Sequence, residues 1–139
     1  MINFSRLKNL FVQIVMEKDD FIITFCARNI ITKKDIGSIE FQIGDVERHF
    51  LREFAVDKLY RRIGIGTRLF ENVVNEAKKK KIKEIYVQPC PTDSENVNME
   101  TLIDIYQKLG FVKYKKSDSM EPLTDSEDKL MVYKINLNE

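Results

Sequence analysis

Residues 56–69 read Val-Asp-Lys-Leu-Tyr-Arg-Arg-Ile-Gly-Ile-Gly-Thr-Arg-Leu and lie where the hydrophobic period of the chain changes. Before them, β-rich runs separated by short polar turns are typical of an antiparallel meander. After them, apolar residues recur every four positions over 64–81 and predict a helix with one buried face. These residues are Ile65, Leu69, Val73 and Ala77. The stretch is therefore predicted to be a turn that leads from a strand into a helix.

The turn carries two glycines, Gly64 and Gly66, at the predicted helix start. Backbone N–H groups at a helix N-terminus have no partner within the helix, so a turn without bulky side chains there can cradle a phosphate or a pyrophosphate. Arg61, Arg62 and Arg68 add positive charge to the same turn. The spacing matches neither GxGxxG nor GxxxxGK, which disfavours a dinucleotide fold and a P-loop. A plain tight turn without a ligand remains the alternative from the pattern alone.

The other elements follow from periodicity and turn residues. Residues 98–109 are predicted to form a second helix that Gly110 ends in a left-handed conformation. A strand over 82–87 is predicted to pair in parallel with the strand before the turn, because the intervening helix forms a right-handed crossover. The remaining strands are predicted over residues 10–16, 21–31, 36–43, 46–56, 111–116 and 129–137, with a surface loop over 117–128. A helical stripe over 6–16 is the alternative for the first strand.

Composition limits the function classes. A length of 139 residues predicts a single domain, residues 1–139. The order of its elements predicts the α/β (α+β) class, with a mixed, mostly antiparallel sheet and flanking helices. The net charge of +1 gives no case for a nucleic-acid or membrane partner, although lysines 78–81 leave a nucleic-acid contact as a lesser alternative to a solvated helix end. No leader or membrane span is recognisable, so a cytoplasmic protein is expected. Cys26, Cys90 and one histidine support neither a disulfide framework nor a metal site.

Two blocks of the sequence resemble the GCN5-related N-acetyltransferase (GNAT) family. Residues 61–66, Arg-Arg-Ile-Gly-Ile-Gly, match the family hallmark of Arg or Gln, two residues, Gly, one residue, then Gly or Ala. Residues 105–111, Ile-Tyr-Gln-Lys-Leu-Gly-Phe, are similar to its second signature. Residues 36–41 and 50–57 are similar to the third and fourth strands of the family. The resemblance covers residues 36–137 and is weakest over the first 35 residues.

The resemblance implies acetyl-CoA as co-substrate, no metal, and an amine acceptor that attacks the thioester directly in a ternary complex. Acetyl-CoA would lie in a wedge where the fourth and fifth strands splay apart. It would pair with the fourth strand as an added strand, so that the Val56 N–H polarises the acetyl carbonyl. Amides of residues 63–67 would bind the pyrophosphate. The residues implied in cofactor binding are Phe54, Val56, Arg61, Arg62, Ile63, Gly64, Ile65, Gly66 and Thr67.

The resemblance also suggests two catalytic side chains. Tyr106 lies where the family often places the acid that protonates the departing CoA thiolate, and the alternative is a core tyrosine on this helical stripe. The base position of the fourth strand holds Arg52, so the neighbouring Glu53 is the candidate base. In a regular strand Glu53 would face the opposite side, and a β-bulge would be needed to turn it. A solvated strand glutamate is the alternative.

One departure from the family pattern concerns the acceptor. Only residues 17–20 separate the first two predicted strands, so the helix pair that usually lies between them is expected to be missing. An open wall would suit a protein acceptor, while a small-molecule amine remains possible. A noncatalytic acyl-CoA-binding or interaction module is the main alternative function, and a homodimer formed through a sheet edge is a further expectation.

Overall fold

A computed structural model describes residues 11–57, 60–61, 63–90, 98–115 and 129–136. Within these residues the chain forms an α+β fold with strands in two antiparallel sheets and two helices, which confirms the predicted fold class. The elements are β1 (Val12–Lys18), β2 (Ile22–Asn29), β3 (Asp35–Gln42), β4 (Leu51–Val56), α1 (Ile65–Lys79), β5 (Glu84–Val87), α2 (Met99–Leu109), β6 (Val112–Lys113) and β7 (Met131–Lys134).

The first four strands form an antiparallel meander in the order β1-β2-β3-β4, as the short polar turns predicted. The first turn is tight because Asp19 Oδ1 accepts hydrogen bonds from the N–H groups of Phe21 and Ile22, both at 2.7 Å. Strand β1 therefore passes directly into β2, and no helix lies between them. The alternative of a helix over 6–16 is wrong from Val12 onward, while residues 6–10 lie outside the described residues.

Strand β4 begins at Leu51, five residues later than the predicted start at 46. The N–H groups of Ile43 and Gly44 both bind the carbonyl oxygen of Phe21, at 2.8 and 3.3 Å. These bonds fold the chain back over the β1–β2 turn, so that residues 43–49 leave the ladder before β4 rejoins it.

Helix α1 packs one face against the meander. Its predicted stripe is confirmed, because Ile65, Leu69, Val73 and Ala77 are all buried. They form one core with the inward side chains of β2 and β3, including Ile23, Ile39 and Phe41. The helix ends with Lys78 and Lys79 in its last turn, where cations offset the helix dipole.

The second sheet has the order β5-β7-β6. The predicted parallel pairing of β4 with β5 is reduced to a single bridge between Phe50 and Tyr86, where the Tyr86 N–H donates to the His49 carbonyl at 2.9 Å. Beyond this bridge no further pairing joins β4 and β5 among the described residues, and β5 pairs with β7 on its other edge. We call the unpaired region between β4 and β5 the wedge.

Helix α2 has a cap at its start, and it ends at the glycine that the sequence predicted. Asn98 Oδ1 accepts a hydrogen bond from the Thr101 N–H at 2.8 Å, and Gly110 closes the helix with a φ of 112°. Strands β6 and β7 follow and are shorter than predicted, and the loop predicted over 117–128 lies outside the described residues. Neither described helix is long and apolar enough to cross a membrane.

Candidate active site

The edge of β4 that faces the wedge presents backbone groups. The Asp57 N–H donates to Ile36 of β3 at 2.7 Å, so the Val56 carbonyl in the same peptide unit points the other way, toward the wedge. Arg61 Nε donates to that carbonyl at 2.9 Å. Because N–H and C=O groups alternate between the two edges of a strand, the N–H groups of Val56 and Phe54 are directed into the wedge as well.

The glycine turn forms the N-terminus of α1. Gly64 adopts a left-handed conformation with φ 91°, and no side chain caps the helix. The first helical bond runs from the Arg68 N–H to the Gly64 carbonyl at 3.0 Å, so the amides of residues 65–67 precede the internal ladder. The first turn contains no acidic residue. The helix start therefore has the electrostatics of an anion site.

Gly66 lies against β4. A Cβ atom at this position would stand 3.3 Å from Cζ of Phe54, a contact tighter than most real Cβ atoms make. The glycine lets the helix start approach the strand edge closely. The amides of α1 and the wedge-facing edge of β4 are thus brought side by side.

The three arginines of the turn have different positions. Arg61 is held by the Val56 carbonyl and lines the face of the sheet opposite α1. Arg68 Nη2 donates to the Val12 carbonyl of β1 at 3.2 Å. Its contribution of positive charge to the turn stays a prediction. Arg62 lies outside the described residues.

Tyr106 lies in the helical layer under the wedge. Tyr106 is only 5% exposed. Its ring centroid lies 6.3 Å from that of Phe54 and 5.5 Å from that of Phe111. The side chain is thus a core residue that also faces β4. Both roles that the sequence suggested are compatible with this position, and the acid role stays a prediction.

Glu53 lies at a β-bulge. Phe41 pairs with Leu51 and Ile39 pairs with Phe54, so Arg52 and Glu53 together stand opposite one residue of β3. Both are exposed, and the bulge places them on the same face of the sheet, away from α1. Glu53 therefore shares a face with Arg52, as the base role requires, and that role remains a prediction.

A cavity of about 630 Å³ lies on the face of the meander opposite α1. Val56 and Arg61 line one end of it, so the cavity reaches the wedge, and Glu17 of β1 also lines it. Sequence reasoning did not identify this cavity. Its only sequence signal is the set of outward positions in each strand, whose small and polar side chains do not form a known motif.

A charged pair and a thiol lie in this cavity. Arg28 Nε binds Asp35 Oδ1 at 2.8 Å, and this hydrogen bond lowers the pKa of the Asp35 carboxyl. Partial burial, followed by the neighbouring Asp35, raises the pKa of the Cys26 thiol. Cys26 is therefore poorly suited to act as a nucleophile at neutral pH, because the thiolate is the reactive form.

Comparisons with known proteins agree with this geometry. A family model described as an acetyltransferase (GNAT) domain matches residues 14–113. Among curated proteins, none is similar enough in sequence to match this chain.

Solved acetyltransferase structures share the fold. A GNAT-family acetyltransferase from Staphylococcus aureus is 23% identical, with 83% of this chain and 68% of that chain covered and a TM-score of 0.62. A GNAT-family acetyltransferase from Elizabethkingia anophelis with acetyl-CoA bound is 18% identical, with 90% and 99% covered and a TM-score of 0.61. The Escherichia coli N-acetyltransferase YhbS in complex with CoA is 15% identical, with 92% and 85% covered and a TM-score of 0.65.

Proposed function

This chain belongs to the GNAT acetyltransferase family, and we propose that it transfers an acetyl group from acetyl-CoA to a primary amine by direct attack in a ternary complex. The observation that carries the proposal is the wedge between β4 and β5. One strand edge in this wedge offers backbone N–H groups, and the α1 N-terminus lies beside it.

Acetyl-CoA fits the wedge by two kinds of contact. Its pantetheine arm carries amide groups that can pair with the Phe54 and Val56 backbone in the manner of an added strand. Its pyrophosphate suits the amides of residues 63–67 at the α1 N-terminus. Gly64 and Gly66 support this fit, because a side chain at either position would strain the turn or crowd Phe54.

The reaction needs an oxyanion donor and proton transfers. The Val56 N–H would hold the acetyl oxygen as the amine attacks and negative charge develops there. Tyr106 would protonate the departing CoA thiolate, since it faces β4 from the helical layer. Glu53 would accept the proton of the attacking amine through water, since it shares the face of the cavity from which the acceptor approaches. Thioester and amine would then meet from opposite faces of the sheet.

Calorimetric titration with acetyl-CoA tests the binding step. We expect saturable binding to acetyl-CoA and CoA, and none to NAD or ATP at the same salt concentration. Gly66→Val would crowd Phe54 and disturb the α1 N-terminus. It should weaken acetyl-CoA binding by about tenfold or more, because a loss of about 1.4 kcal/mol of binding free energy is a tenfold change in affinity. Lys78→Val places the same β-branched side chain at an exposed position of the same helix, and this variant should bind acetyl-CoA normally. Absence of binding to any CoA compound would refute the proposed function.

The Tyr106→Phe variant tests the chemical step. Loss of a general acid should lower kcat by about 100-fold, with little change in acetyl-CoA affinity. Tyr133→Phe is the matched control, because its ring packs in the same aromatic group against Phe70 and Phe111. An unchanged kcat for Tyr106→Phe would exclude the acid role. Binding of acetyl-CoA without transfer to any amine would instead favour the noncatalytic acyl-CoA-binding module.

A further inference from the structure

The strand register builds a trough on the open face of the meander. Val15, Cys26, Ser38 and Ala55 are consecutive partners across β1, β2, β3 and β4 and form one row. All four side chains are small and partly exposed. The rows on either side carry longer polar side chains. One contains Gln13, Arg28 and Asp35, and the other contains Glu17, Thr24, Glu40, Arg52 and Glu53.

The trough has the dimensions of an extended chain. The floor row crosses four strands, so its length is three inter-strand steps, or about 14 Å. Each flanking row lies two residues along the strands from the floor row, at a distance of about 7 Å. A segment of about four extended residues has the same length. One end of the trough is Ala55, beside Val56 in the wedge, and the cavity of about 630 Å³ lies over this floor. A chain lying in the trough would therefore lead to the proposed site of acetyl transfer.

The two flanks differ in charge. On one side Arg28 and Asp35 neutralise each other at 2.8 Å. On the other side three carboxylates, Glu17, Glu40 and Glu53, stand with one guanidinium, that of Arg52. No described residue forms an ion pair with any of these four. The second flank is therefore acidic, in a chain whose formal net charge is +1.

From this trough we infer that the acceptor is a polypeptide segment with basic side chains, which lies extended across the meander and presents its amine at the wedge. The inference rests on the proposed function and adds the substrate class. Lysine or arginine residues near the reactive amine would meet the acidic flank, while the small floor side chains leave room for a backbone. The direct β1–β2 turn leaves this face uncovered by any described helix, so a chain can enter from the β1 side.

A peptide library tests the inference. Degenerate peptides with a central lysine, a free N-terminus and random flanking residues would be incubated with the protein and acetyl-CoA, and the acetylated products would be sequenced by mass spectrometry. We expect basic flanks to be favoured over acidic flanks by about three- to tenfold in kcat/KM, the effect of two or three exposed ion pairs. The preference should shrink as salt is raised.

Variants assign the preference to the trough. Glu17→Gln combined with Glu40→Gln should remove most of the preference for basic flanks without changing acetyl-CoA affinity. Glu47→Gln removes an exposed carboxylate outside the trough and should retain the preference. Ser38→Leu should block peptide acetylation, and normal acetyl-CoA binding would show that this variant is folded.

The outcomes separate the inference from the proposed function. Acetylation of spermidine or a small neutral amine, with no preference among peptides, would overturn the inference and leave acetyl transfer intact. Peptide acetylation that the double glutamine variant does not alter would also overturn it. Acetyl-CoA binding with no transfer to any peptide would do the same. Failure to bind acetyl-CoA would instead refute the proposed function.

Discussion

The two faces of the β1–β4 meander are formed by the same strands, but one face is buried and the other is open. On the α1 face, Ile23, Ile39 and Phe41 are completely buried. On the other face, Cys26 and Ser38 remain partly exposed on a cavity, although each adjoins a core position in the sequence. Because side chains alternate along a strand, one set of residues can stabilise the fold while its neighbours remain available for a ligand.

The largest expected difference between the two faces is in the free energy of unfolding, when a core side chain and its neighbour on the open face are each truncated. Ile39→Ala should lower the free energy of unfolding by about 3–4 kcal/mol, because it leaves a cavity under α1. Ser38→Ala, one residue away on the open face, should change it by less than about 0.5 kcal/mol. Urea denaturation of both variants measures the difference. Equal effects would mean that the open face is also part of the core.

The buried face was largely predictable from the sequence. The stripe of α1 repeats every four residues, and the helix that contains Tyr106 has its cap at Asn98 and its stop at Gly110. These signals are local, since each depends on residues within one or two turns. Tight polar turns likewise predicted the meander, because Asp19 and Asn29 accept hydrogen bonds from the amides that follow them.

The second largest effect on stability is expected at the end of α2, in the helical layer that covers the buried face. Gly110 has a φ of 112°, and a Cβ atom there would lie 2.8 Å from Cε2 of Tyr133. Gly110→Ala should lower the free energy of unfolding by about 2 kcal/mol, because the left-handed conformation disfavours a side chain and the ring must move. Thermal unfolding measures this loss. A neutral effect would show that α2 can end differently.

The trough was not predictable from the sequence, and the wedge was expected only from the family resemblance, because both arise from long-range placement. The sequence predicted a parallel β4–β5 pair, and nothing local indicates that the pairing stops after Phe50 and Tyr86. The bulge that turns Glu53 depends on how β3 meets β4. The side chain of Arg61 was expected near phosphate, whereas the structure shows its Nε on the Val56 carbonyl. Motif resemblance named the candidate site residues, but the directions of their side chains depend on the tertiary fold.

Arg61 offers a test at the end of β4, where the two faces meet. If its bond to the Val56 carbonyl orients the strand edge, Arg61→Met should lower kcat by about tenfold, because tenfold corresponds to about 1.4 kcal/mol, the value of about one hydrogen bond. The KM for acetyl-CoA should change less. Steady-state kinetics with one amine acceptor separate the two constants. A rise in KM alone, which weakens as salt is raised, would show instead that Arg61 binds the pyrophosphate.

The smallest expected effect is a difference in the rates at which the two cysteine thiols are alkylated. Cys26 lies on the floor of the trough with a raised pKa, whereas Cys90 is exposed. A raised pKa lowers the thiolate fraction at neutral pH, so iodoacetamide should modify Cys26 about threefold or more slowly than Cys90. Raising the pH should accelerate Cys26 until its thiol ionises. Single-cysteine variants, Cys26→Ser and Cys90→Ser, allow each rate to be followed by mass spectrometry.

A basic peptide should slow the reaction of Cys26 and leave that of Cys90 unchanged, because only Cys26 lies under the proposed acceptor. Faster modification of Cys26 than of Cys90 would contradict the raised pKa and the partial burial of the Cys26 thiol.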